Sequence, residues 1–214
     1  MDLKQLFQDC LNKEYTHTKD DVSFCCEFDN GTLKIYFQWS KGYKDWIANF
    51  NFPARPYKRM NRVWFIHRGF KRAWKSIEDI IKNYLELLEI SQVQIVGYSH
   101  GAALAMLCHE FCKYHRPDLP IETYAFAPPR VLWGWWYKDL LKRWEGLTVI
   151  KNYDDIVTHL PPKCLGFRHV GEILNLTPSG FYNQRGKSLY ERYILPHTEG
   201  EIKKQIDNLD KELK

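Results

Sequence analysis

The stretch Val93-Gln-Ile-Val-Gly-Tyr-Ser-His-Gly-Ala-Ala-Leu-Ala-Met-Leu-Cys108 carries the strongest structural signal in this sequence. It begins with a short β-branched run, which is typical of a strand. It then passes through Gly97-Tyr-Ser-His-Gly101 into a segment that is apolar on every side, as a buried helix would be. A G-x-S-x-G motif between a strand and a helix is the pattern of a nucleophile elbow, a sharp turn that exposes the serine hydroxyl. We therefore interpret Ser99 as a candidate nucleophile.

Hydrophobic periodicity predicts further elements on both sides of this stretch. Upstream, we predict a helix within residues 1–15, a strand at Thr32–Gln38 and one long helix from Phe70 to about Leu88. Downstream, we predict three strands and two helices, in the order Ile121–Phe126, Lys138–Trp144, Leu147–Lys151, Arg168–Leu176 and Glu199–Leu209. Strands that alternate with helices indicate an α/β fold with a mostly parallel central sheet and helices on both faces.

Length and composition favour one globular unit. The 214 residues are 44% hydrophobic and 27% charged, and no linker divides them, so we predict a single domain over residues 1–214. The net charge of +5 is modest and no nucleic-acid motif is present, so we do not expect a nucleic-acid partner. The composition leaves the oligomeric state open.

Three features of the sequence bear on the location of the protein. No apolar run approaches the roughly 18 residues that cross a membrane, so we predict no transmembrane segment. The first residues, Met1 to Gln5, lack an apolar signal core. The six cysteines show no disulfide-framework spacing, which favours reduced thiols. We therefore expect a cytoplasmic protein.

A nucleophilic serine requires a base and a carboxylate that orients the base. In a strand–elbow–helix fold, these partners follow the serine in the order acid, then histidine. Asp154 and Asp155 directly follow the strand predicted at Leu147–Lys151, and order alone allows either of them to be the acid. Order also allows three later histidines to be the base, namely His159, His169 and His197.

Five separate blocks of the sequence follow one another in a characteristic order. They are Phe37-Gln-Trp-Ser40 with Lys44-Asp-Trp-Ile-Ala-Asn49, His67-Arg-Gly-Phe70, Gly97 to Ala105, Ala125-Phe-Ala-Pro-Pro-Arg-Val131, and Asp155-Ile-Val157 with Leu160-Pro-Pro162. Together they resemble the class 3 lipase family, the group within the α/β-hydrolase superfamily that contains the fungal triacylglycerol lipases. The resemblance extends from about Leu33 to Glu199, and five blocks in order make it specific.

The resemblance implies a fold, an activity and a set of catalytic residues. It implies an α/β-hydrolase that cleaves carboxylic esters, especially lipid acyl esters, through an acyl-enzyme and without a metal or organic cofactor. It implies Asp155 as the acid and His197, ahead of the last helix, as the base. His169 matches a non-catalytic histidine that we expect in a strand, and we expect His159 at the surface.

Two further expectations concern the surroundings of the serine. The backbone N–H of His100 is expected to be one oxyanion donor, and the resemblance implies Ser40 as the second. The sequence departs from the family pattern at Trp39, where glycine is usual, and at His100, where leucine is usual. The His100 imidazole is either a fourth polar group of the site or a surface side chain, and we expect the second. The resemblance also implies a lid or acyl-pocket rim in the segment from Asp45 to Phe52, whose large apolar residues are Trp46, Ile47, Phe50 and Phe52. The alternative for this segment is a short helix packed permanently on the body of the protein.

Two alternatives to a lipase stay open at this point. One is an esterase or thioesterase that acts on small esters without interfacial activation. The other is a catalytically silent member that binds acyl ligands or a protein partner. Only the lipase interpretation predicts peripheral contact with lipid surfaces. The helical spacing of Cys108, Cys112 and His115 is compatible with a metal site, but a buried helix favours packing, and no second cluster of ligands is visible, so we predict no metal.

Overall fold

The structure is a computed structural model that describes residues 2–18, 22–38, 54–59, 62–87, 89–134, 143–182 and 186–212. Its main elements in chain order are α1 (Leu3–Asn12), β1 (Thr16–His17), β2 (Ser23–Asp29), β3 (Thr32–Gln38), β4 (Ala54–Arg59), β5 (Arg62–His67), α2 (Arg68–Lys75), α3 (Glu78–Leu87), β6 (Gln92–Tyr98), α4 (His100–His115), β7 (Ile121–Phe126), β8 (Leu132–Trp133), β9 (Leu147–Asn152), β10 (Phe167–Arg168), β11 (Glu172–Thr177) and α5 (Glu199–Glu212). None of the helices in these ranges is both long enough and apolar enough to span a membrane.

A seven-stranded sheet lies at the centre, in the order β1-β2-β3-β6-β7-β9-β11. Five strands of this sheet are parallel to one another, namely β3, β6, β7, β9 and β11, and β1 and β2 join them as an antiparallel edge. A second, antiparallel sheet has the order β10-β8-β5-β4. The predicted strands Thr32–Gln38 and Ile121–Phe126 are confirmed at both ends, and the mostly parallel central sheet is confirmed as well.

Helices pack on both faces of the central sheet, as the sequence predicts. Successive side chains of a strand point to opposite faces, so Ile35 joins the core under α2, α3 and α4, whereas Tyr36 joins the core under α1 and α5. The first core contains Trp74 of α2, and the second contains Phe7 of α1 and Ile206 of α5. Each helical layer therefore buries its own apolar stripe against the sheet.

The single helix predicted from Phe70 to Leu88 is wrong, because the structure has α2 and α3 in its place. The break lies at Ser76, whose hydroxyl donates a hydrogen bond to the carbonyl of Ala73 at 2.7 Å. Ile77 in the connecting turn is fully buried, so the apolar periodicity continues across the break and hides it. Leu88 lies outside the described residues.

The strand predicted over Arg168–Leu176 is also wrong as one element. Its residues fall into β10 and β11, which belong to different sheets. Gly171 lies between them with a φ of 82°, and a Cβ there would lie 2.5 Å from the carbonyl oxygen of Leu147. His169 consequently lies in the connection and not in a strand. Most of the helix predicted at Lys138–Trp144 falls within residues 135–142, which the structure does not describe.

Candidate active site

The serine of the elbow lies between β6 and α4 with strained backbone geometry. Ser99 has a φ of 55° and a ψ of −119°. A positive φ in a residue other than glycine costs conformational free energy, and such strained residues occur often at active sites. Gly97 and Gly101 allow the turn, because a Cβ on Gly97 would lie 2.5 Å from the Gly101 carbonyl oxygen and a Cβ on Gly101 would collide with the Phe37 carbonyl. The strand–elbow–helix context predicted from the sequence is present.

The three side chains implied by the resemblance lie in one hydrogen-bonded chain. The Ser99 Oγ is 2.9 Å from the His197 Nε2, and the His197 Nδ1 is 2.8 Å from the Asp155 Oδ2. The second carboxylate oxygen of Asp155 accepts a hydrogen bond from the Val157 N–H at 2.9 Å. All three side chains are buried. An ionised carboxylate only accepts hydrogen bonds, so Nδ1 carries the proton and Nε2 is left to accept from the serine hydroxyl.

Two parallel strands and one short turn bring these groups together. Ser99 follows β6 directly, and Asp155 lies in the turn after β9, two strands away in the sheet. The carboxyl ends of parallel strands lie at the same edge of a sheet. His197 is not on a strand: it ends the one-turn helix Leu195–His197, immediately before α5.

The alternative acid and bases have other partners. The carboxylate of Asp154 accepts hydrogen bonds from the N–H groups of Gly180 and Tyr182, both at 3.0 Å, so it holds a distant loop. His169 Nε2 bonds to the Thr158 carbonyl at 2.7 Å, and burial lowers the pKa of His169 to about 3. His169 therefore stays neutral, and its Nε2 is bound to a backbone carbonyl.

His159 is half-buried and not fully at the surface. Its Nε2 bonds to the Tyr153 carbonyl at 2.7 Å, and its Nδ1 lies 3.3 Å from the guanidinium of Arg130. Arg130 also donates hydrogen bonds to the carbonyls of His159 and Pro161. Burial lowers the pKa of Arg130 to about 10. This arginine, from the Pro-Arg block, therefore braces the segment that follows the acid.

A second cation lies at the same edge of the sheet. Lys151 of β9 is buried, and burial, followed by the neighbouring Arg130, lowers its pKa to about 8, while Asp155 opposes the shift. Its ammonium lies 3.5 Å from the Thr158 hydroxyl and 5.4 Å from the centre of the Tyr153 ring. The acid is thus flanked by positive charge in a buried setting.

The predicted oxyanion donors are only partly described. His100 is the first residue of α4 and directly follows Ser99, so its backbone N–H lies at the N-terminus of the helix beside the nucleophile. Its imidazole is half-buried, with the ring centre 5.4 Å from that of Phe70, and not at the surface as expected. The second predicted donor, Ser40, lies outside the described residues, as does Trp39. The same is true of the predicted lid or pocket residues, Trp46, Ile47, Phe50 and Phe52.

The cysteines of α4 are packing residues. The sulfur atoms of Cys108 and Cys112 are buried and 3.9 Å apart, and burial raises the pKa of Cys108 well above its usual value. His115 packs on Phe111 with ring centres 4.2 Å apart. Within the ranges that the structure describes, no group of three or more histidine, cysteine, aspartate or glutamate side chains is arranged to hold a metal ion.

Two polar contacts at the site were missed from the sequence. The Tyr98 hydroxyl donates to the carbonyl of His197 at 2.5 Å, and the Asn152 amide donates to the carbonyl of Pro196 at 2.6 Å. Tyr98 occupies the variable position of the elbow motif, and Asn152 ends a strand. The signal in the sequence is weak: Tyr98 precedes the predicted nucleophile, and Asn152 lies at the end of the strand that leads to the predicted acid.

Comparison with known proteins identifies the family of the chain. A family model described as Lipase (class 3) matches residues 34–164. A secreted mono- and diacylglycerol lipase 1 from Fusarium solani is 24% identical over 158 residues, which cover 71% of this chain and 46% of that protein. A lipase from Rhizomucor miehei is 27% identical over 149 residues, which cover 66% of this chain and 40% of that protein.

Solved structures share the fold. A Rhizomucor miehei lipase in a propeptide complex superimposes with a TM-score of 0.62 and 24% identity, covering 75% of this chain and 55% of that one. A triacylglycerol lipase described as having a serine protease triad at its catalytic centre gives a TM-score of 0.67 and 23% identity, covering 75% of this chain and 64% of that one. The fold is therefore that of the α/β-hydrolases.

The family match covers more than half of the chain, and the chain belongs to the class 3 lipase family. The chain spans less than half the length of the curated relatives it matches, between 38% and 46%. Several of those relatives are named as secreted proteins. A cytoplasmic location for this protein stays a prediction from its sequence.

Proposed function

We propose that this protein is a serine hydrolase that cleaves carboxylic esters, with lipid acyl esters as its substrates. The observation that carries the proposal is the buried chain of hydrogen bonds from Ser99 through His197 to Asp155. Membership of the class 3 lipase family supports the substrate class. A catalytically silent member would not need to retain a strained serine, a correctly oriented histidine and a buried carboxylate together.

The proposed reaction has two steps and transfers one acyl group. In the first step, the Ser99 Oγ attacks the ester carbonyl while His197 Nε2 takes its proton, and the same proton then passes to the departing alcohol. In the second step, water attacks the acyl-serine with His197 again as the base. Asp155 holds the imidazole in the tautomer that Nε2 requires and stabilises the imidazolium that forms.

The oxyanion that develops on the ester carbonyl needs hydrogen-bond donors, which are often the largest electrostatic contribution in acyl transfer. We assign one donor to the backbone N–H of His100, because it directly follows the nucleophile at the start of α4. The second donor is proposed at Ser40 on the basis of the resemblance. The mechanism uses only these groups of the chain, and we propose no metal or organic cofactor in it.

Turnover of defined esters tests the proposal. We expect the purified protein to hydrolyse p-nitrophenyl esters and emulsified mono- and diacylglycerols, and Ser99→Ala to lose this activity while keeping its circular dichroism spectrum. Loss of a nucleophile of this kind costs several orders of magnitude in rate. Activity retained in Ser99→Ala, or no turnover of any ester by the wild type, would contradict the proposal.

The dependence on acyl chain and on substrate aggregation separates a lipase from a small-ester esterase. We propose that residues 45–52 form an apolar lid or rim, so that activity on tributyrin rises sharply above its solubility limit, because a lipid surface stabilises the open form. Replacing Trp46 and Phe50 with serine should weaken that rise more than turnover of a soluble acetate ester. A smooth saturation curve through the solubility limit would favour the esterase.

A further inference from the structure

The segment that bears His197 is held by hydrogen bonds to its backbone as well as to its side chain. The Tyr98 hydroxyl donates to the carbonyl oxygen of His197 at 2.5 Å, and the Asn152 Nδ2 donates to the carbonyl oxygen of Pro196 at 2.6 Å. Both donors are buried, Asn152 completely. We call this pair, Tyr98 and Asn152, the base clamp.

The two donors come from the two strands that lead to Ser99 and to Asp155. Tyr98 is the last residue of β6 and directly precedes Ser99, and Asn152 is the last residue of β9, in the turn that leads to Asp155. The Tyr98 ring also stacks on the imidazole of His197, with ring centres 5.6 Å apart and planes inclined by 24°. The clamp therefore connects the backbone of His197 to the strands that lead to Ser99 and to Asp155.

The base needs such a reference because its segment is not part of the sheet. His197 ends a one-turn helix preceded by the short π-helix Tyr190–Ile194. The Ile156 N–H, next to the acid, donates a hydrogen bond to the Tyr193 carbonyl of this π-helix at 3.1 Å. The hydrogen bond to Asp155 orients the imidazole, but it acts on the side chain and does not hold the backbone that carries it. Two buried bonds to consecutive carbonyls hold that backbone.

We propose that Tyr98 and Asn152 are positioning residues that keep His197 Nε2 within proton-transfer distance of the Ser99 Oγ. This inference rests on the proposed function, since it assigns these residues a role in the reaction of the same site. It also assigns a role to Tyr98 at the variable position between Gly97 and Ser99 of the elbow motif, because its hydroxyl binds the backbone of the base. A displacement of about 1 Å in such a site costs up to about a hundredfold in rate.

Tyr98→Phe tests the proposal with the smallest change, because it removes the hydroxyl and keeps the stacked ring. We expect kcat to fall about tenfold or more while KM changes little, since the displaced base affects proton transfer and not substrate binding. Tyr124→Phe is the matched control: Tyr124 is a buried tyrosine of the neighbouring strand β7 whose hydroxyl contacts only the Glu122 side chain at 3.3 Å among the described contacts. We expect its kcat to be unchanged.

A second measurement needs no substrate. The proton on His197 Nδ1, hydrogen-bonded to Asp155, is observable as a downfield resonance in the NMR spectrum of the resting protein. We expect Tyr98→Phe to broaden this resonance through faster exchange with water, and Tyr124→Phe to leave it sharp. Asn152→Asp replaces the amide donor by an acceptor of the same shape and should act like Tyr98→Phe, which provides a second test if the first variant folds poorly.

The outcomes separate the two proposals. If the wild type hydrolyses no ester, the proposed function fails, while the NMR comparison still decides whether the clamp positions the histidine. If the wild type is active and both Tyr98→Phe and Asn152→Asp keep its kcat and its downfield resonance, the clamp has no positioning role and the inference is overturned.

Discussion

Two buried neutral histidines should make the folded protein sensitive to mild acid. Burial, together with the nearby His100, lowers the pKa of His67 to about 4, and burial lowers the pKa of His109 to about 3. The Nδ1 of His67 accepts a hydrogen bond from the Gly69 N–H at 3.1 Å at the start of α2, so protonation of that atom would remove a helix cap.

Burial, followed by the nearby Lys113, lowers the pKa of His109, while the hydrogen bond to the Arg143 carbonyl opposes the shift. Two contacts fix the tautomer of the neutral ring. Its Nε2 lies 3.0 Å from the Arg143 carbonyl oxygen, which only accepts, so Nε2 must carry the proton. Its Nδ1 lies 2.8 Å from the Thr123 hydroxyl and therefore accepts from it. A second proton, on Nδ1, would require the Thr123 hydroxyl to turn and accept, and it would place a positive charge in a buried site near Lys113 and beside the stacked ring of Trp144.

The size of the effect follows from the difference between the folded and unfolded pKa values. An unfolded histidine titrates near 6.5, so below that pH the unfolded chain binds protons that the folded protein does not, and the free energy of unfolding falls as the pH falls. Each such histidine contributes about 1.4 kcal/mol per pH unit until its folded pKa is approached. Between pH 6.5 and 4.5 the two residues together remove about 5 kcal/mol, against a typical total stability of about 5–15 kcal/mol.

Urea denaturation followed by circular dichroism at pH 7.5, 6.5, 5.5 and 4.5 measures this loss. His169, whose pKa burial lowers to about 3, acts in the same direction. Most carboxylates titrate near 4, so histidines dominate this window. We expect His109→Gln to be less stable than the wild type at pH 7.5 but to lose stability less steeply on acidification. A free energy of unfolding that stays constant from pH 6.5 to 4.5 would refute the reasoning.

Three further expectations rest on single contacts. Gly101→Ala should cost at least about 1–3 kcal/mol of stability by overpacking the elbow, whereas Gly200→Ala, where a Cβ meets nothing within 4 Å, should not, and thermal unfolding of the two variants measures the contrast. Lys151→Met should raise the melting temperature at pH 7, because burial lowers the pKa of Lys151 to about 8 and its charged form is costly below that pH; the gain should shrink as the pH rises from 8 toward 10, and no gain at pH 7 would contradict this account. His197→Ala should lose ester turnover by several orders of magnitude, whereas His169→Ala should retain most of it per folded molecule, and the reverse order would move the base to His169.

The central sheet and the elbow were predictable from the sequence because their signals are local. β-branched runs such as Val93 to Val96 have the period and composition of a buried strand, and Gly97 and Gly101 are required by close backbone approach. The order serine, acid, histidine then limited the candidates to a few residues. The resemblance to the class 3 lipases chose among those few.

The remaining features depend on contacts between residues far apart in sequence. Asp154 and Asp155 have the same chemistry, and they differ in their distant partners: the Asp154 carboxylate binds backbone N–H groups near residue 180, whereas the Asp155 carboxylate binds His197. The break between α2 and α3 is hidden because Ile77 stays buried through the turn. The separation of β10 from β11 depends on the close approach of Gly171 to the backbone of β9, and a local sequence pattern does not predict such a contact.

The central claim is that Ser99 is an activated nucleophile, and covalent labelling tests it most directly. A fluorophosphonate reacts with a serine hydroxyl only when a neighbouring base removes its proton, and mass spectrometry of the digested protein locates the modified residue. We expect one label per molecule on Ser99, none in Ser99→Ala, and greatly slowed labelling in His197→Ala. A folded wild-type protein that stays unlabelled, or carries its label on another residue, would contradict the account.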